Sequence, residues 1–320
     1  MAGPTQFGYQ NAGFGGKAYG GTVDFTCDYV MIGGGGGGAS TGGQNNVRGA
    51  AGGGAGGYRT SVTGENMGGG ASAESSLTLT TGTNIAVSIG AGGNGSNTTF
   101  SRAFNTGGYG ADTELGDLHA EQGSGGAAGD GSGFADVDSG SAGGRSHFSG
   151  GSNSNIVDDP TQGHASGNSN TGNIFTCGGG GGAGSTGGSG NGNSASGNGG
   201  NGQSSSITGS AVGRAGGGGG GGGFISDASG AFGSGPDGGG AAGSGGGANG
   251  TANTGGGGGA GSGRNNNNGG GDGGSGVIIL LYPDARSITF GAGVTGTETD
   301  RGDGFKYAQI TAGSGNVVFS

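Results

Sequence analysis

Three observations point to an irregular, all-β protein in which packed polyglycine II helices form a bundle, short β-strands cap it, and essentially no α-helix occurs. Glycine supplies 103 of 320 residues, while only 9% are charged and tryptophan is absent. The glycines are gathered in runs, at 33–38, 52–54, 68–70, 178–182, 216–223, 238–240, 245–247, 255–259 and 269–271. Between the runs lie short clusters of β-branched and aromatic residues, the pattern of strands rather than helices. The hydrophobic class reaches only 28%, much of it alanine. The side chains available for burial therefore make a few clusters, not a conventional core for a chain of this length.

The runs themselves argue for the bundle. Collagen requires glycine at every third position with abundant proline, and this chain has 4 prolines and no such register. A flexible linker is the competing expectation, because glycine loses more backbone entropy on ordering than any other residue. Against that cost of about 1–2 kcal/mol per residue stand hydrogen bonds between neighbouring backbones, each netting about 1 kcal/mol, and dispersion at the close approach that only glycine permits. Gly35, Gly180, Gly219 and Gly257 lie inside runs and are the expected structural glycines of such packing. The near balance of the two terms calls for side-chain clamps, and the clusters at 22–32, 76–81, 84–89, 277–282, 287–290, 305–311 and 316–319 are the candidates. The first leads into a glycine run and 277–282 follows a glycine-rich stretch, so these two are expected to be neighbouring strands.

Helices are not expected, since no stretch sustains a 3.6-residue apolar period. No apolar run approaches the length of a membrane span, which predicts no membrane insertion. Residues 1–10 lack the basic and apolar regions of a signal peptide, so synthesis in a cytoplasm without Sec export is expected.

Residues able to carry chemistry do not assemble into a site, and no enzyme activity, cofactor or metal is expected. Glycine-rich nucleotide fingerprints recur by chance and none opens a helix after a strand. Gly16-Lys17-Ala18 departs from a phosphate loop at its third position. His119, His147 and His164 fall in polar, irregular sequence. Cys27 and Cys177 each sit shortly before a glycine run and read as small, buried, reduced residues rather than a disulfide or a metal pair. Lysine and arginine total 10 against 20 aspartates and glutamates, with Asp112, Glu114, Asp117, Glu121, Asp130, Asp136 and Asp138 in one interval free of cations; nucleic-acid binding is disfavoured. Asp136 and Asp138 alternate as calcium ligands do, but no EF-hand or nonapeptide register follows. Arg301-Gly302-Asp303 matches an integrin-type tripeptide by coincidence in a glycine-rich chain.

Several motifs fall in a recognisable order. Residues 28–32 (DYVMI) lead into the run 33–38; AGGGAGGYRTS follows at 51–61, SLTLTTGTNIAVSIGAGG at 76–93, and GSGVIILLYPDA at 274–285. A strand, polyglycine, a tyrosine turn, a β-hairpin, a variable glycine-rich middle and a closing strand make a pattern that resembles the glycine-rich domain of bacteriophage tail-fibre proteins. It is similar to the receptor-binding tip adhesins of T-even-like phages. The resemblance implies three parts: an attachment segment (1–27), a glycine-rich polyglycine II domain with a β-hairpin insert (28–285) and a C-terminal β segment (286–320). It also implies a sandwich of polyglycine II helices whose end loops touch the receptor.

The function expected on this basis is that of a virion fibre or fibre-tip adhesin on the virion surface. Its partners would be a bacterial cell-surface receptor, either a polysaccharide or an outer-membrane protein, and other virion fibre proteins, with homo-oligomerisation left open. Large side chains do not fit between close-packed glycine backbones and are displaced to the ends. Tyr109, Phe134 and Phe148 in the longest interval poor in glycine, with Phe224 and Phe232, are the receptor-binding candidates, or else they cap the bundle. The alternative is a purely structural virion fibre or decoration protein without receptor binding. An ice-binding role would instead demand a flat face of small residues with few acidic loops.

Overall fold

The computed structural model of the chain describes residues 21–41, 49–97, 104–128, 139–146, 162–170, 176–192, 194–222, 231–262 and 269–320. Strands β1 (Asp24–Ile32), β2 (Ser40–Thr41), β3 (Tyr58–Thr60), β4 (Leu77–Thr80) and β5 (Asn84–Ser88) come first, followed by β6 (Phe104–Asn105), β7 (Thr113–Leu115) and β8 (Leu118–Ala120). Then come β9 (Gln203–Ser205), β10 (Val212–Arg214), β11 (Val277–Pro283), β12 (Ile288–Phe290), β13 (Val294–Asp300) and β14 (Phe305–Phe319). Among the described residues the only helical element is a 3₁₀ turn at Gly68–Gly70.

The architecture corrects the expectation of a polyglycine II bundle with short capping strands. The protein is all-β and is organised by a nearly closed, barrel-like antiparallel sheet of 10 strands. Its spine runs β3-β1-β11-β14-β5-β7-β8. The first half of β14 lies between β11 and β13, and its second half between β5 and β12. The first half of β1 pairs with β4, whose hairpin to β5 turns through Gly82 at φ 79°. Gly82 N–H donates to the Phe319 carbonyl (2.8 Å) and Thr81 N–H to that of Val23 (3.0 Å), so the circuit β1-β11-β14-β5-β4 returns to β1 with only the β5-β4 step unpaired. β1 and β11, the expected neighbours, are indeed antiparallel, with Ile32 opposite Val277.

The sheet dominates because its central strands are continuous apolar runs whose side chains alternate across the strand, so a single strand buries side chains on both faces. On one face Cys27, Tyr29 and Met31 of β1 meet Ile278, Leu280 and Tyr282 of β11 and Ile310 and Phe319 of β14. Phe319 takes the edges of Phe25 and Tyr282, with ring centroids at 5.1 and 4.9 Å. On the other face Val30, Ile32, Val277 and Ile279 pack with Tyr58, Ile207 and Ala215. Each such side chain contributes about 1.5–3 kcal/mol by leaving water, a term that glycine cannot supply.

The glycine-rich segments are not strands, yet many of their backbone groups are hydrogen-bonded between segments. Along 33–38, N–H groups donate in rotation to three neighbours: Gly33 to Gly57, Gly34 to Ala111 and Gly35 to Gly274, then Gly36 to Gly54, Gly37 to Gly108 and Gly38 to Gly271. A donor along this run therefore meets each neighbouring segment once in every three residues. These segments leave a single end of the sheet, where β1, β5 and β8 finish and β3, β7 and β11 begin.

Candidate functional surface

The structural glycines occupy places that no side chain could share. A Cβ on Gly35 would lie 2.2 Å from the Gly256 carbonyl oxygen, on Gly180 1.9 Å from that of Gly53, on Gly219 2.0 Å from that of Gly233, and on Gly257 2.1 Å from that of Gly53. All these obstacles are backbone, so no rotamer change relieves them. Alanine is admitted at the segment ends remote from the sheet, where Ala39, Ala50, Ala128 and Ala260 form a small apolar cluster. Nearby, Ser40 and Thr41 of β2 pair with Asn105 and Phe104 of β6.

At the outside of the glycine segments, polar side chains take the place of a missing neighbour. Asp272 Oδ1 accepts from Gly95 N–H (2.7 Å), Asp237 Oδ2 from Gly202 N–H (2.8 Å), Asn198 Oδ1 from Ser234 N–H (2.9 Å) and Asn249 Oδ1 from Asp272 N–H (2.9 Å). An N–H that faces outward is thereby bonded, and the adjoining segment supplies the acceptor.

Of the receptor-binding candidates, Phe134, Phe148 and Phe224 lie outside the described residues. Tyr109 and Phe232 are half-buried, each in a stretch outside the strands. Tyr109 lies between Gly108, which donates to Asn94, and Gly110, which donates to Gly123; burial raises its phenol pKa. Phe232 is flanked by Ala231 and Gly233, which donate to Ser194 and Gly220. The structure thus brings neither side chain to the other, and both stand on the borders of hydrogen-bonded segments.

The remaining residues singled out by type are dispersed. His119 is exposed on β8, His164 is half-buried with its pKa lowered by burial, and His147 lies outside the described residues. Cys27 and Cys177 are both buried, and neither forms a disulfide. The Arg301 guanidinium is spent on its own tripeptide, with Nε 2.9 Å from Asp303 Oδ2, and NH1 donates to the Ile207 carbonyl (3.2 Å). Asp112 accepts from Gln122 N–H (2.8 Å), while Asp130, Asp136 and Asp138 lie outside the described residues. Among the described residues no group of three or more histidines, cysteines or carboxylates could hold a metal ion.

One polar cluster has no counterpart in the sequence reading. Arg59 on β3 donates from Nε to Glu74 Oε1 (2.9 Å) and from NH2 to Oε2 (2.9 Å), and its NH1 donates to the His119 carbonyl (2.9 Å). Tyr29 OH also donates to Glu74, and burial, then this carboxylate, push the phenol pKa up. Such a paired, largely desolvated fork ties β1, β3, β8 and the 71–76 segment together. No spacing motif announces it, because its bonded pairs are 15 to 60 residues apart along the chain.

The glycine-rich domain family matches residues 21–283, from just before β1 to the last residue of β11. This chain belongs to that family. The glycine-rich domain thus begins and ends on two strands that lie side by side, and β12, β13 and β14 complete the sheet from beyond the match. The match reaches as far as the glycine-rich domain and carries no phage origin or tail-fibre assignment. No curated protein and no solved structure matches the chain.

Proposed function

We propose that this protein is an adhesin of a virion fibre or fibre tip, which recognises a bacterial surface receptor and acts by binding rather than catalysis. The observation that carries the reading is the separation of scaffold from surface. Interior positions such as Gly180 and Gly219 exclude every side chain, whereas polar and aromatic residues border and join the glycine segments. A scaffold held by its backbone leaves the sequence of those bordering residues free to follow a receptor. The ordered motifs at 28–38, 51–61, 76–93 and 274–285, which resemble tail-fibre domains, support the same reading. Its setting would be the virion surface, alongside other fibre proteins.

The test is saturable adsorption of the labelled, purified chain to bacterial cells, with unlabelled chain as competitor. Competed adsorption to some strains and not others is the expected result. Lack of adsorption across a broad strain panel, by a chain that melts cooperatively, would favour a purely structural fibre or decoration protein.

A further inference from the structure

We propose that the groove between segments 91–94, 249–252 and 272–275 is a binding site for a neutral sugar presenting adjacent hydroxyl groups. The inference rests on the adhesin reading for its biological setting and names the chemistry of the receptor.

The groove encloses about 350 Å³ and is walled by Asn94, Asn249, Asp272 and Ser275, with Ala91 and Ala252 beside glycine backbone. That volume falls in the range of small-molecule sites. Two of its polar groups, Asp272 and Asn249, are held in place and only partly used. Asp272 is fixed through Oδ1 by Gly95 N–H (2.7 Å), and Asn249 through Oδ1 by Asp272 N–H (2.9 Å). The second carboxylate oxygen of Asp272 and the NH₂ group of Asn249 remain for a ligand, and the exposed carboxamide of Asn94 bonds to no described residue. The walls are stitched beneath: Gly250 N–H donates to the Asp272 carbonyl (2.7 Å) and Gly273 N–H to that of Gly93 (2.8 Å). Little ordering is left for a ligand to impose.

The chemistry selects the class. A carboxylate acceptor beside carboxamide donors suits hydroxyls, each of which donates and accepts, and the two alanine methyls suit the C–H face of a ring. An anion would meet Asp272 with no lysine or arginine in the lining, and a cation would find a single carboxylate. Another groove, about 310 Å³, is lined by Glu65 and Glu74; Arg59 and Tyr29 engage Glu74 and Ser206 engages Glu65 Oε1, while Glu65 Oε2 is buried without a partner among the described residues, so a ligand there would meet two carboxylates.

The probe is the full chain, ¹⁵N-labelled, titrated with galactose, glucose, mannose and N-acetylglucosamine up to roughly 50 mM, a range suited to a solvent-open polar site, and separately with calcium chloride. At least one sugar should shift the amides of Gly92, Gly250 and Gly273, and Asn94→Ala should weaken that binding by about tenfold or more at unchanged melting temperature. Asn249→Ala should do the same and provides a second variant if the first folds poorly. Silence toward all four sugars, shifts indifferent to both variants, or the same shifts from calcium alone would each overturn the site. Cell adsorption separates this from the adhesin reading: adsorption equal in wild type and both variants sinks the groove alone, whereas sugar binding by a chain that never adsorbs sinks the adhesin and leaves the groove.

Discussion

Ile310 in the sheet and Gly219 in the longest glycine run are both interior, but what surrounds them differs in kind. Ile310 is buried among side chains of β1 and β11, which can shift rotamers if one of them changes. Gly219 faces the Gly233 carbonyl oxygen and the Ala242 amide, donates to Gly240 and accepts from Ala260. Around the first, stability comes from apolar area; around the second, from bonded backbone at separations that a methyl group would destroy. Side-chain cores fail gradually, while backbone packing has no intermediate size to fall back on.

The largest effect is therefore expected in the glycine region. Gly219→Val and Gly180→Val should each cost more than about 3 kcal/mol or abolish cooperative unfolding, by overlap with backbone and by leaving amides unpaired. Gly245→Ala, whose Cβ would meet nothing within 4 Å, is the matched control and should change little. Denaturant midpoints that coincide for Gly219→Val and Gly245→Ala would break the distinction between the two regions. Next comes the sheet, where Ile310→Ala should cost about 2–5 kcal/mol yet keep a cooperative transition.

Alkaline pH probes chiefly the sheet, with Tyr109 a raised phenol among the glycine segments. Burial, followed by Glu74, Glu65 and Glu298 respectively, raises Tyr29, Tyr58 and Tyr282 above 10.0, and burial followed by Asp28 raises Cys27 above 9.0. The unfolded chain ionises these groups first, so their contribution is complete below those ordinary values and drains as pH rises toward the folded ones. Stability should hold to about pH 9 and then fall by about 1.4 kcal/mol per pH unit for each group past its unfolded pKa. Tyr282→Phe should make that fall shallower by one group's share, as measured by denaturation at stepped pH; an unchanged slope would mean that Tyr282 ionises freely in the fold. The smallest effect is expected at the rim of the glycine region. Asn198→Ala removes the acceptor of Ser234 N–H, which water can replace, and should cost about 0.5–1 kcal/mol; a loss as large as that of Gly219→Val would mean that the rim bonds hold the interior together.

The strands that bury side chains were legible in the sequence. The clusters at 22–32, 76–81, 84–89, 277–282 and 287–290 coincide with β1, β4, β5, β11 and β12. β13 was not, because VTGTETD is mostly exposed and offers no apolar face; its partner β14 supplies the reason for its extension. β14 itself reads as two pieces, 305–311 and 316–319, parted by Ala312-Gly313-Ser314-Gly315. The fold carries a single strand through them, with Gly313 at φ 88°, a conformation glycine adopts without strain. Among candidate binding residues, the chain order suggested loop aromatics, whereas Tyr109 and Phe232 stand beside bonded glycine segments. The groove of Asn94, Asn249 and Asp272 was invisible, since its walls come from distant parts of the chain.

Composition alone determined that this protein could not rest on an ordinary core throughout, and short clusters of β-branched and aromatic residues between the glycine runs determined which stretches would be strands. Both are local properties, written in residue type and spacing. Tertiary structure alone decided that those strands join into one nearly closed sheet and that the glycine segments flanking β1, β3, β5, β7, β8 and β11 depart from a single end of it. It also decided which carbonyl each glycine amide meets. Glycine carries no side chain with which to specify a partner, so its neighbours are set by the strands and turns that hold the segments in register.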